Sequence, residues 1–215
     1  MIYTTTQPII FPALYHLERW HKAHSIYVLT DIQWDRSGAR VLLRNSRVSF
    51  PVKKISNRVK FSEIQMCDLD KFLVRFFNTL HYSYKKEPYW SEYSEHLHNL
   101  CNSHPGDSFV DFAVTTMMWL KGSILTTSGD FVNSSLVKPR ADQDSVAEWL
   151  CAFGYKGDWY YTWAMGYTAI KDKSPFCNNR IKVDIQSWHP PVNANVSALH
   201  YLLTVGPEKI RSWLV

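Results

Sequence analysis

Eight basic residues crowd the window 31–60: Arg36, Arg40, Arg44, Arg47, Lys53, Lys54, Arg58 and Lys60, opposed there only by Asp31 and Asp35. The excess in this window is six positive charges. The whole chain, with 24 Lys and Arg against 19 Asp and Glu, carries only +5. A local excess of this kind suits a phosphate-rich partner. Arg36, Arg40 and Arg44 recur every fourth residue in a stretch rich in β-branched and aliphatic side chains, which reads as strand. Residues of equal parity share one face of a strand. Three guanidinium groups would then form a row of forks matched to phosphate or carboxylate. A plain solvated strand face accounts for the same charges equally well.

Other chemistry has less support. The sequence contains no GxGxxG, GxxxxGK[ST], GxSxG or HExxH, which argues against a dinucleotide oxidoreductase, a P-loop NTPase, an α/β-hydrolase and a zincin. His96 and His98 sit two residues apart on a predicted helix and so point to different faces, a poor start for a metal site. No cofactor and no metal is implied. Cys67, Cys101, Cys151 and Cys177 are widely separated. They read as buried thiols in a reducing, cytoplasmic setting rather than as a metal or redox pair.

The elements that must position these groups follow from periodicity. The 215 residues, 46% hydrophobic and 15% aromatic, are enough for a full core and too apolar for intrinsic disorder. No apolar stretch approaches the length of a membrane span, and the first twenty residues lack a signal-peptide pattern. Strands are predicted at 3–11, ending at Pro8 or Pro12, at 25–32, within 39–52, and at 124–127, 159–163 and 180–188. Helices are predicted at 13–23, 68–84 behind a cap at Asp68, 89–100, 109–121, 144–153, 164–171, 197–205 and 207–214. Strands alternate with helices at both ends, and helices cluster in the middle. The pattern predicts one α/β domain with a largely parallel sheet, flanking helices and a helical insertion at about 68–121. Ligands of such sheets collect beyond the carboxyl ends of the strands, here near 7–12, 31–36, 162–166 and 189–193.

Motifs at those strand ends resemble the WbqC-like family of bacterial polysaccharide clusters and phage genomes. Gln7-Pro8 with Phe11-Pro12 is similar to the family's opening QPxxFP. YVLTDIQW at 27–34 resembles its second strand and DxQ element, and Phe50-Pro51-Val52 its LTVPV. The run 84–93 resembles YKKAPYFxxY. His189-Pro190, Ser197-Ala198-Leu199 and Val205-Gly206-Pro207-Glu208 resemble its tail. The resemblance runs nearly end to end. Departures include Thr162-Trp163 where the family has Ser-Gly, and Val192 and Asn193 where a tyrosine and glutamine follow its His-Pro.

The resemblance implies attachment of a small amino acid, such as glycine, to an acceptor. In phage relatives the acceptor is a pyrophosphate-activated 5-hydroxymethyl pyrimidine in DNA. In polysaccharide clusters it is a nucleotide-linked amino sugar, and a non-catalytic nucleic-acid-binding module is a third reading. DNA and a free amino acid are thus the expected partners. For the first reading, Asp31, His189 and Gln7 are the catalytic candidates, with Asp31 or His189 as base. Arg36, Arg40 and Arg44 would neutralise the departing pyrophosphate, aided by Gln33 and Asn45. Lys138 or Arg140 would grip the amino acid carboxylate. Thr162, Trp163 and Tyr167 would line the pocket for an extruded base, with Trp34 placed to stack on nucleic acid. Arg47, Lys53, Lys54, Arg58 and Lys60 would contact the DNA backbone. Each has a structural alternative: Asp31 as a cap or a partner for Arg36, Trp163 as core, His189 as a turn residue. The expectation is that the arginines converge beside Asp31 and the Gln7 loop to cradle a diphosphate.

Overall fold

The IYTTT segment at Ile2–Thr6 carries the β-branched and aromatic side chains that suit a buried pleated surface, and it forms the central strand, β1, of a five-stranded parallel sheet. A computed structural model describes residues 1–44, 46–53, 59–103, 106–126, 129–133, 150–154, 157–162, 168, 170 and 172–214. After β1 come α1 (Leu14–Lys22), β2 (Ser25–Val28), β3 (Arg40–Leu42) and β4 (Arg47–Ser49). Three helices follow: α2 (Leu69–Tyr84), α3 (Trp90–Asn102) and α4 (Phe109–Ile124). The remaining elements are β5 (Asp130–Asn133), β6 (Trp159–Thr162), α5 (Ser174–Asn178), β7 (Lys182–Ile185) and α6 (Ala198–Leu214).

The chain divides into two compact units. The first comprises Met1–Gln7, Glu18–Thr30 and Thr127–His189 and contains the sheet, in strand order β5-β2-β1-β6-β7 with all pairings parallel. This is the α/β sheet that the alternation of elements predicts. Its order reverses between β1 and β6, the place where open parallel sheets leave a crevice at their carboxyl ends. Registered residues of neighbouring parallel strands share a face. One face presents Ile2, Trp159 and Lys182, then Tyr161 and Asp184. The other is aromatic: Tyr3 packs edge-on to Tyr27 and beside Tyr160, Tyr27 stacks on Phe153, and Tyr160 stacks on Phe176 of α5.

The second unit comprises Pro8–Leu17, Asp31–Thr126 and Pro190–Val215. Its helices follow their apolar periodicity. In α2, Leu69, Leu73, Phe76, Leu80 and Tyr84 are buried at three- and four-residue spacing. Helix α2 packs on α3, and α4 and α3 pack on α6. Phe50 joins Phe72, Phe76 and Phe112 in a ring cluster. The Ser108 hydroxyl caps α4 by accepting from the Asp111 N–H. The helices predicted within 68–121 are thus present, in one unit with the β3–β4 hairpin and α6.

Several boundaries differ from the sequence expectation. The first strand stops at Thr6 because Pro8 cannot donate to a ladder. The second ends at Val28. Ile124, predicted to start a strand, is the last residue of α4, and the neighbouring strand is β5. Asp68 precedes α2 with a left-handed φ of 49° and makes no side-chain cap bond. Most of the predicted helices 144–153 and 164–171 lies outside the described residues.

Candidate functional site

At the carboxyl ends of the first unit's strands stand Gln7 after β1, Thr162 at the end of β6, and the segment from Gln186 to His189 after β7. Gln7 is half-buried, Thr162 is buried and His189 is exposed. The Thr162 carbonyl accepts a 2.7 Å hydrogen bond from the Gln186 N–H, so the β6 and β7 exits are tied together.

Beneath them lies a group that sequence reasoning missed. Glu18, on α1, is fully buried. One carboxylate oxygen accepts from the Tyr161 hydroxyl at 2.7 Å and pairs with the Lys22 ammonium at 2.6 Å. The other accepts from the Gln186 side-chain amide at 2.7 Å. Burial, and then the bond to Glu18, raises the Tyr161 pKa. Tyr161 is therefore a neutral donor at physiological pH rather than a base. The arrangement fixes α1, β6 and the start of the β7 exit relative to one another. In sequence, Glu18 and Lys22 are an ordinary i,i+4 pair of the kind found on solvated helix faces. Only the apolar neighbours Leu17 and Trp20, also fully buried, mark α1 as enclosed.

The basic window belongs to the second unit. It does not form a single-strand row. Arg36 opens a 3-10 turn, Arg36–Ala39, capped by Asp35, whose carboxylate accepts from the Ser37 N–H at 3.1 Å. The turn presses Gly38 against the backbone of Pro8: a Cβ there would come within 2.6 Å of the Pro8 carbonyl oxygen. Of the three spaced arginines only Arg40 lies in a strand, and Arg44 follows β3. Arg44 turns to Glu87, with a 3.2 Å ion pair. The hairpin register instead sets Arg40 opposite Ser49 and Arg47 opposite Leu42, on one face, with Val41 and Val48 on the other. Two arginines thus share a face across the hairpin, where the sequence reading placed three along one strand.

Arg36, Arg40 and Arg47 are exposed, and their guanidinium groups have no hydrogen-bond or ion-pair partner among the described residues. Lys53 donates to the Gln65 side chain at 2.7 Å. Lys60 bridges Gln33 through the backbone, and its ammonium lies 4.0 Å from the exposed Asp31 carboxylate. Lys60, rather than Arg36, is thus the cation beside Asp31. Trp34 is half-buried, its ring set edge-on against Phe61 and Phe109 at 5.0 and 4.7 Å. It is therefore part of the aromatic packing as well as the surface. Asn45, Lys54, Arg58, Lys138, Arg140, Trp163 and Tyr167 lie outside the described residues.

The paired motifs mostly hold the scaffold. The Ser197 hydroxyl donates to the Phe11 carbonyl at 2.8 Å, and the Ala198 N–H donates to the Pro12 carbonyl at 2.9 Å. Tyr89 packs against Gly206. Among the described residues no cluster of His, Cys, Asp or Glu is arranged to hold a metal ion, and no helix is long and apolar enough to cross a membrane.

The model of the WbqC-like protein family matches residues 7–212. No curated protein and no solved structure matches the chain.

Proposed function

The chain belongs to the WbqC-like protein family, and on that premise we propose that it is a transferase joining a small, glycine-like amino acid to a pyrophosphate-activated 5-hydroxymethyl pyrimidine in DNA. In this reaction a base first removes a proton from the amino acid's ammonium group. The freed nitrogen then attacks the exocyclic methylene carbon. The bond from that carbon to the pyrophosphate oxygen breaks, and its electron pair leaves with the pyrophosphate. The protein's tasks are to neutralise that leaving group, to accept the proton and to hold the base out of the stack.

The observation that carries the reading is the set of exposed guanidinium groups at Arg36, Arg40 and Arg47, unengaged among the described residues, on the unit that also holds Asp31 beside Lys60. Guanidinium groups without protein partners are available for phosphate oxygens, which they bind as bidentate forks. Asp31, exposed beside Lys60 on that unit, is the proposed proton acceptor, with His189, exposed after β7, as the alternative.

The test is DNA binding by the purified protein at increasing salt. Affinity for duplex DNA is expected to fall by orders of magnitude between about 50 and 200 mM salt. Arg40→Ala and Arg47→Ala should each weaken binding at all sequences alike and reduce the salt slope by about one. Arg44→Ala should change it much less, because Arg44 is engaged with Glu87. Salt-independent affinity, or tight calorimetric binding of nucleotide sugars with none to DNA, overturns the proposal in favour of a sugar acceptor.

A further inference from the structure

On the face of the sheet covered by the Glu18–Lys22 part of α1, a pocket of about 220 Å³ is lined by Ile2, Lys22, Trp159, Tyr161 and Asp184. It runs along the strands: Ile2 and Trp159 begin β1 and β6 and pair in register, while Tyr161 and Asp184 are the third residues of β6 and β7.

The pocket's charges decide what it can hold. Lys22 has three N–H donors. One is engaged by the Glu18 carboxylate at 2.6 Å and one by the Tyr161 hydroxyl at 3.3 Å, which leaves the third. The Asp184 carboxylate is exposed and accepts no hydrogen bond from any described residue. Lys22 and Asp184 line the same space without pairing to each other. Lys182 lies over the Trp159 ring at 4.9 Å, and Lys22 lies over the Tyr161 ring at 5.1 Å. Lys22 and Asp184, one cation and one carboxylate, thus line the pocket. A simple anion gains little there, because Glu18 already matches Lys22. A simple cation at Asp184 meets the Lys22 ammonium across the same space. A zwitterion meets a complement at each end: its ammonium at Asp184, its carboxylate at the remaining Lys22 donor. The rest of the wall is Ile2, Tyr161 and Trp159, the last 41% exposed, and Ile2 with the Trp159 ring suits a small apolar side chain. Pockets for drug-sized ligands begin at about 300 Å³, so this one admits only a small molecule.

We infer that this pocket binds a free α-amino acid with a small apolar side chain, with Asp184 receiving its ammonium group and Lys22 its carboxylate. The inference deepens the transferase reading, which calls for a free amino acid, and rests on it for the pocket's role. Binding here is measured with neither DNA nor an activated base present, so it can fail while DNA binding holds, and the reverse.

The experiment is calorimetry on the full chain with L-valine as probe, alongside 3-methylbutanoate, which lacks the ammonium group, and 2-methylpropan-1-amine, which lacks the carboxylate. Valine is expected to bind, and each analogue to bind at least tenfold more weakly. Asp184→Asn, a change at an exposed position that leaves the fold intact by circular dichroism, should weaken valine at least tenfold and leave DNA affinity unchanged. Trp159→Ala should weaken valine more than it weakens glycine. Absence of valine binding, equal binding of either analogue, or full valine affinity in folded Asp184→Asn protein overturns the inference.

Discussion

The hydroxyl of Tyr161 donates a 2.7 Å hydrogen bond to the fully buried carboxylate of Glu18. Gln186 donates to the same carboxylate from the β7 exit, and Lys22 pairs with it from the next turn of α1. One acceptor group therefore serves donors from three elements. Glu18→Ala leaves the Tyr161 hydroxyl and the Gln186 amide without their acceptor, and the expected loss of stability is about 2–4 kcal/mol. Lys22 adds little to that loss, because its half-exposed ammonium returns to water. Glu18→Gln keeps an acceptor oxygen for one donor and should cost about half as much. Urea unfolding of the two variants checks this. Equal stabilities for wild type and Glu18→Ala would remove the carboxylate from any structural role.

Gly206 interrupts α6 with a φ of 81°, and a Cβ there would come within 2.2 Å of the Tyr89 ring. Tyr89 is also held by its N–H, which donates to the Leu203 carbonyl at 3.3 Å. Gly206→Ala thus combines an unfavourable backbone conformation with a steric overlap, and should lower stability on the order of 2–4 kcal/mol. Tyr89→Ala in the same chain should recover part of that loss, since the overlap is then gone and only the backbone term remains. A thermal-unfolding cycle over the two single variants and the double variant measures the coupling, and additivity would show that ring and glycine do not meet.

That contact also explains what was legible in the chain. The helices of 68–124 announce themselves because Leu69, Leu73, Phe76 and Leu80 repeat at a helical period and all face inward. The parallel sheet follows from short β-branched runs separated by helix. The motif pairs read as one recognisable set, but only the structure shows that Phe11 meets Ser197 and Tyr89 meets Gly206, contacts between segments far apart in the chain. The arginine row was misread because equal parity implies a shared face only on an unbroken strand. The turn capped by Asp35, with Gly38 close to Pro8, breaks it after Arg36. Glu18 was invisible for a related reason: whether a Glu–Lys pair on a helix is solvated or buried depends on what covers the helix.

Cysteine reactivity separates the four thiols. Cys101 is buried, and desolvation pushes its pKa up to about 12. Cys151 is also buried, Cys67 is half-buried and Cys177 is exposed on α5, which corrects the expectation that all four are interior. The thiolate is the reactive form, so Cys101 holds almost none at neutral pH. Iodoacetamide on the native protein should label Cys177 first and leave Cys101 and Cys151 unmodified until denaturant is added. Mass spectrometry of a labelling time course reads the order, and labelling of Cys101 at the rate of Cys177 would contradict the burial.

His200 provides a pH dependence with a definite sign. Its ring is half-buried on α6, with Nδ1 3.2 Å from the Tyr84 hydroxyl. Burial first, and then the nearby charge of Arg44, lower its pKa below the usual 6.5, with Glu87 acting in the opposite direction. The unfolded chain therefore binds a proton at a higher pH than the folded chain does. Stability should be fully present above about pH 6.5 and should decline as pH falls from there toward the lowered folded value. Arg44→Gln removes one of the two lowering influences, so the folded pKa rises and the decline becomes shallower. His200→Asn should abolish this component altogether. Urea unfolding at a series of pH values between 5 and 8 tests all three chains. An acid slope in the His200→Asn protein as steep as in the wild type would assign the effect to other groups.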